Sequence, residues 1–177
     1  MRIIAITTPK VDNRDAQIIR RLLASGVDIV HLRKPESGIE ECREVLKQLS
    51  GHEREKIIVH NFPELYYEFS LKGIPANRNI HTLPDGYDGF RTRSCHSFEE
   101  VQRFKNEYDY LFLSPIFNSI SKVGYNAGFT GEDLQKASDE GVIDGQVVAL
   151  GGVTFESLPY LEKLNFGGAA MLGALYK

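Results

Sequence analysis

Short runs of β-branched and other apolar residues alternate along the chain with stretches whose apolar positions recur at i, i+3 and i+4. The hydrophobic period therefore switches repeatedly between 2 and 3.6. Eight strands are expected: Ile3–Thr7, Asp28–Leu32, Lys56–His60, Lys72–Ala76, Arg91–Cys95, Asp109–Leu113, Gln146–Leu150 and Gly167–Leu172. Between them, the first helix gathers Ala16, Ile19, Leu22 and Leu23 on one face and the second gathers Val45, Leu46 and Leu49. Ser97, with a carboxylate three residues on at Glu100, reads as a helix N-cap, and Thr130 and Thr154 read as caps of the next two helices. Runs such as Tyr110-Leu111-Phe112-Leu113 and Val147-Val148-Ala149-Leu150 are apolar at every position. That suits parallel strands covered on both faces. Eight strand–helix units predict an α/β fold of the (β/α)8 TIM-barrel class, with a doubly wound open sheet as the alternative.

The repeat has two gaps. Segment 77–90, with Asn77, Asn79, Pro84, Asp85, Gly86 and Gly89, reads as loop where a fourth helix belongs, and Ile80–Leu83 is a rival position for strand four. Nothing follows Lys177 to form an eighth helix. Barrels of this class need about 200 residues or more, so 177 residues hold eight strands only in a shortened barrel with helix 4 and helix 8 reduced or absent. A single domain over residues 1–177 is expected, and the surfaces bared by the two missing helices suit a partner such as a second copy of the chain.

Composition narrows the function classes. Hydrophobic residues make up 42% and charged residues 25%, as in a globular domain with its own core. No apolar run approaches the ~18 residues of a spanning helix, and Met1-Arg2-Ile3-Ile4 passes directly into a strand. A cytoplasmic protein without a membrane partner is expected. With 21 Lys+Arg against 24 Asp+Glu, the net charge of −3 argues against a dedicated nucleic-acid binder. Cys42 and Cys95 are too few and too far apart for a zinc site or disulfide framework and read as buried thiols.

In a barrel the chemistry sits at the C-terminal ends of the strands and in the loops after them. Strand two ends in Leu32-Arg33-Lys34-Pro35, where a guanidinium can fork onto phosphate oxygens. Strand three ends in His60-Asn61 and strand five in Ser94-Cys95-His96. The long loop after strand six carries Ser119, Ser121 and Lys122, hydroxyl donors and an ammonium suited to an anion. Gly151-Gly152 after strand seven and Leu172-Gly173 after strand eight allow backbone N–H groups to approach a phosphate closely. A small phosphorylated ligand is therefore the expected partner.

Taken together, these segments resemble the thiamine phosphate synthase superfamily, which also contains the thiazole tautomerases. The likeness runs through the whole chain in order. His31-Leu32-Arg33-Lys34-Pro35 stands where the family has Gln-Leu-Arg-Glu-Lys, Asn61-Phe62 where it has Asn-Asp, and Ser94-Cys95-His96 where it has Ser-x-His. Ser114-Pro115-Ile116-Phe117-Asn118-Ser119-Ile120-Ser121-Lys122 follows its Gly-Pro-Ile-Phe-x-Thr-x-Thr-Lys motif, the most specific match. The resemblance implies a transferase that joins an aminopyrimidine pyrophosphate to a thiazole phosphate. It implies that Arg33, Asn61, Ser94 and Lys122, with Lys34, stabilise the departing pyrophosphate. His31 would bind the pyrimidine edge, Ser119 and Ser121 would contact substrate, and Gly152, Leu172 and Gly173 would hold the thiazole phosphate.

The resemblance also implies Mg²⁺, which the family binds through one aspartate after strand three and one after strand four. Here the first position is Phe62, and Ala76-Asn77-Arg78-Asn79-Ile80 supplies no carboxylate at the second, Asp85 being the nearest. Two other readings stay open. One is a thiazole tautomerase, although the histidine of that pattern is replaced by Pro115. The other is a phosphate-ligand binder that kept the barrel without the catalysis.

Overall fold

The computed structural model describes residues 1–76, 86–118, 128–172 and 175. Eight strands are present: β1 (Arg2–Ile6), β2 (Ile29–Leu32), β3 (Ile57–Val59), β4 (Gly73–Ala76), β5 (Phe90–Cys95), β6 (Tyr110–Leu113), β7 (Val147–Leu150) and β8 (Gly168–Met171). No strand end departs from its expected position by more than one residue. They close in sequence order into a barrel, and every strand pair whose register is resolved is parallel. Closure excludes the open-sheet alternative. The helices are α1 (Asp15–Ala24), α2 (Ile39–Lys47), α3 (Gly51–Arg54), α4 (Glu64–Phe69), α5 (Phe98–Phe104), α6 (Gly131–Asp139) and α7 (Leu158–Lys163).

Both α2 and α3 lie between β2 and β3, so the seven helices of the described residues do not supply one helix after each of the eight strands. Among the described residues no helix occupies the β4–β5 connection or follows β8. Part of that connection, 77–85, lies outside the described residues, as does the rival strand position at Ile80–Leu83. Its described end is held by buried Tyr87, whose hydroxyl accepts from Ile74 N–H at 2.7 Å and donates to the Phe90 carbonyl at 2.6 Å. One side chain thus joins β4 to the start of β5. Tyr66 on α4 packs on the Tyr87 ring at 4.8 Å and donates to Asp88 at 2.8 Å.

The chain divides into two compact units, one of Ile4–Phe90 and one of Arg91–Leu175 with Met1–Ile3. In the first, α1 packs on β2 and α2, and α4 packs on β3. The expected face of α1 is buried at Ala16, Ile19 and Leu22, and that of α2 at Val45 and Leu46. In the second, one apolar cluster joins Leu111, Leu113, Val147, Ala149, Ala169 and Met171 of the strands to Val101, Leu134 and Leu161 of the helices. Side chains alternate along a strand. The other row, Ser94, Phe112, Val148 and Gly168, is matched in register across β5 to β8 and therefore faces into the barrel.

The cap at Ser97 forms, its hydroxyl accepting from Glu100 N–H at 3.2 Å, and Thr130 caps α6 in the same way at 3.1 Å. Thr154 does not cap a helix by its side chain. It precedes a 3₁₀ turn at Phe155–Ser157, and α7 starts only at Leu158. Both cysteines are buried thiols, each pushed up to about 11 by burial.

Candidate functional site

In the first unit, the segment after β2 carries the charged residues. Arg33 is exposed, while its backbone is fixed by buried Thr7: Arg33 N–H donates to the Thr7 hydroxyl at 2.9 Å, and that hydroxyl donates to the Arg33 carbonyl at 3.2 Å. The guanidinium is thereby left outward at the end of a rigid strand.

Lys34 behaves differently. Its ammonium is fully buried and lies 2.6 Å from Asp15 Oδ2 of α1, 2.9 Å from the Lys10 carbonyl and 3.3 Å from the Thr8 hydroxyl. An ammonium has three protons, and all three have partners inside the protein. The expectation that Lys34 holds phosphate is therefore corrected: this lysine ties the loop after β1 and the start of α1 to the end of β2. Sequence reasoning missed Asp15. The available signal was a carboxylate beside Ala16 on the apolar face of α1, where a charge requires a partner.

His31 and His60 form the second feature of this unit. His31 pairs in register with Ile58, and His60 lies two residues beyond Ile58 on the same face, so the two rings converge. His31 Nδ1 and His60 Nε2 are 2.7 Å apart, with the rings edge to face at 4.9 Å. Such a bond has one proton between two nitrogens, so one ring donates and the other accepts. Burial first, and the His60 charge second, hold His31 well below the ordinary histidine value. Burial, reinforced by the Arg33 guanidinium, lowers His60 to about 3. Both rings are therefore neutral at pH 7.

Asn61 follows half-buried, and Phe62 takes a left-handed backbone at φ 62° before Pro63 starts the turn into α4. A bulky side chain in that region costs on the order of 1–3 kcal/mol and marks a position that the surrounding fold holds in place.

The Mg²⁺ that the resemblance implies needs several oxygen ligands. After β3 the chain offers the Asn61 amide and then Phe62, which has no side-chain donor. Asp15 is bonded to Lys34. Among the described residues no three His, Cys, Asp or Glu side chains are grouped to hold a metal ion. Among the described residues, those after β3 do not fit the ion; the position after strand four and Asp85 lie outside the described residues.

In the second unit, Ser94 occupies the last inward position of β5 and is exposed. His96 follows, also exposed, with Nδ1 3.0 Å from the Ser114 carbonyl and its backbone N–H donating to Glu100 at 2.6 Å. After β6 the chain stays paired with the end of β7: Ile116 N–H donates to the Leu150 carbonyl at 2.9 Å and Phe117 N–H to the Gly151 carbonyl at 3.0 Å. Gly152, at φ +65°, lies so close that a Cβ there would meet the Asn118 carbonyl at 2.4 Å. Only glycine fits that approach. Leu172 follows β8, half-buried. Ser119, Ser121, Lys122 and Gly173 lie outside the described residues.

No family model matches the sequence. The chain is 37% identical to a thiamine phosphate pyrophosphorylase from Bacteroides thetaiotaomicron of solved structure, covering 99% of this chain and 85% of that one with a TM-score of 0.89. A thiamine phosphate pyrophosphorylase from Pyrococcus furiosus shares the fold at a TM-score of 0.73 with 20% identity, covering 98% of this chain and 86% of that one. The thiamine-phosphate synthase of Syntrophomonas wolfei is 26% identical over 166 residues, which cover 89% of this chain and 78% of that protein.

Proposed function

The chain belongs to the thiamine phosphate synthase (pyrophosphorylase) family, and from that premise we propose that it is an active synthase, joining an aminopyrimidine pyrophosphate to a thiazole phosphate. The observation that carries the proposal is the 37% identity maintained over 99% of the chain. In this reading the carbon–oxygen bond to the pyrophosphate breaks first and the thiazole nitrogen then attacks the methylene carbon. The main demand on the protein is to stabilise the charge on the departing group.

Arg33 is assigned to that charge because its backbone is fixed and its guanidinium is exposed. Asn61 and Ser94 are assigned as hydrogen-bonding partners of the same group, and Lys122 as a second cation. Lys34 is not among them. His31, fully buried and bonded to His60, is not assigned to substrate either. Ser119 and Ser121 contact substrate, while Gly152 and the backbone at Leu172 and Gly173 hold the thiazole phosphate.

The test is direct. Purified protein with both substrates and Mg²⁺ forms thiamine phosphate, followed by fluorescence of its oxidised product, and Arg33→Ala lowers kcat/KM at least about 10²-fold. Folded protein that yields no product overturns the reading. Calorimetry then identifies the remaining alternative: thiazole phosphate that binds without turnover marks a ligand-binding barrel.

A further inference from the structure

Three imidazoles stand at strand ends in this chain, and they are not equivalent. His31 and His60 are bonded to each other. His96, at the end of β5, is bonded to backbone. Its Nδ1 lies 3.0 Å from the Ser114 carbonyl, which can only accept, so the ring proton sits on Nδ1. The Ser114 hydroxyl, 3.4 Å from the same nitrogen, is a longer second contact. Nε2 therefore carries the lone pair. It lies on the side of the ring away from that carbonyl, in an exposed side chain two residues after the inward-facing Ser94.

The ring is also well held. Its backbone N–H is bonded by Glu100, the carboxylate that a reciprocal cap at Ser97 would otherwise use. Among the described residues, the charged and polar groups set against His96 are Glu100 from α5 and the Ser114 carbonyl and hydroxyl from the end of β6. This is the arrangement of a ring that can gain and lose a proton at Nε2 without changing its orientation.

We infer that His96 is the general acid of this chain, delivering the Nε2 proton to the oxygen of the leaving pyrophosphate. The inference rests on the proposed synthase reading. As the carbon–oxygen bond breaks, its electron pair stays on the pyrophosphate oxygen. The proton on Nε2 of the imidazolium passes to that oxygen, and the ring is left neutral with its proton on Nδ1. The thiazole nitrogen's lone pair then forms the new bond to carbon, and solvent returns a proton to Nε2. Protonation removes charge from the leaving group at the moment it develops.

Two measurements test this separately from the synthase reading. The first is the pH dependence of kcat/KM. His96→Gln is expected to lower kcat by about 10²-fold and to abolish the alkaline limb of the wild-type profile. Equal activity with an unchanged profile overturns the inference while leaving the synthase reading intact. The second uses wild-type protein and inorganic pyrophosphate alone, read by ¹⁵N NMR of the histidine rings. The free protein is expected to show the Nδ1–H tautomer at His96. Added pyrophosphate is expected to convert it at pH 6.5 to the doubly protonated ring. An Nε2–H tautomer, or ring signals unmoved by saturating pyrophosphate, overturns the inference even if every variant misfolds. If pyrophosphate protonates His96 but no thiamine phosphate forms, the synthase reading fails and His96 stands as an acid facing pyrophosphate.

Discussion

The two units of the chain build their strand ends from opposite materials. In Ile4–Phe90 the end of β2 is organised by buried polar groups: the Lys34–Asp15 pair, the Thr7 hydroxyl that holds Arg33, and the His31–His60 bond. In Arg91–Leu175 the end of β7 is organised by backbone approaching backbone at Gly151 and Gly152, over an apolar cluster that joins strands to helices. Buried charges and imidazoles make the first region sensitive to pH and to loss of a single partner. Close backbone packing makes the second sensitive to volume. The lesson is that one barrel can support its chemistry by electrostatics on one stretch of strands and by steric fit on another.

The largest effect should come from breaking the buried pair. Lys34→Met leaves Asp15 charged and unpartnered by Lys34, and is expected to cost about 3–5 kcal/mol in urea unfolding, whereas Asp15→Leu combined with Lys34→Met recovers most of the loss. A single substitution costing less than about 1 kcal/mol would show that the first unit does not depend on that pair. Gly152→Ala tests the other side of the comparison. The left-handed backbone and the overlap with Asn118 and Phe117 predict a loss of about 2–4 kcal/mol, with faster hydrogen exchange after β6 and β7.

The histidine pair sharpens the contrast by its pH dependence. Both rings are held neutral in the fold, whereas the unfolded chain takes up protons near the ordinary value of 6.5. The stabilisation is therefore complete above about pH 6.5 and is lost as pH falls toward the folded values, about 3 for His60. Each ring contributes a slope of up to about 1.4 kcal/mol per pH unit, and His60→Gln should flatten the stability curve between pH 4.5 and 6.5. An identical slope in that variant would place the acid sensitivity elsewhere. The smallest effect concerns Thr92, fully buried on β5, whose hydroxyl has no hydrogen-bond partner among the described residues. Thr92→Val should raise stability by about 1 kcal/mol, measured as a shift in the unfolding midpoint.

Much of the barrel was legible without coordinates. All eight strands were readable from the alternation of strand and helix patterns, and β6 and β7 also from continuous apolar runs, because a strand covered on both faces is apolar at nearly every position. The caps at Ser97 and Thr130 were readable because a helix N-terminus leaves N–H groups that a nearby side-chain oxygen can satisfy. Thr154 misled because the same local chemistry also starts a 3₁₀ turn. Arg33 and Gly152 were singled out by position after their strands and Ser94 by position near the end of its own, and the structure leaves Arg33 and Ser94 exposed. Lys34 was misread because its neighbour in sequence is Arg33, while its partners in space are Asp15 and the backbone of Lys10.

What the sequence by itself determined is the repeating order of strands and helices, the two positions left without a clear helix, and a set of phosphate-suited residues at strand ends. Each of these follows from local period and local composition. Tertiary structure alone decided which polar groups are consumed inside the protein and which are offered outward. Lys34 is spent on Asp15, His31 on His60, and His96 Nδ1 on a carbonyl, whereas Arg33 and Ser94 remain exposed. The physical reason is that a donor's availability depends on what lies within about 3 Å of it. In a barrel, those neighbours come from strands and loops separated by tens of residues along the chain.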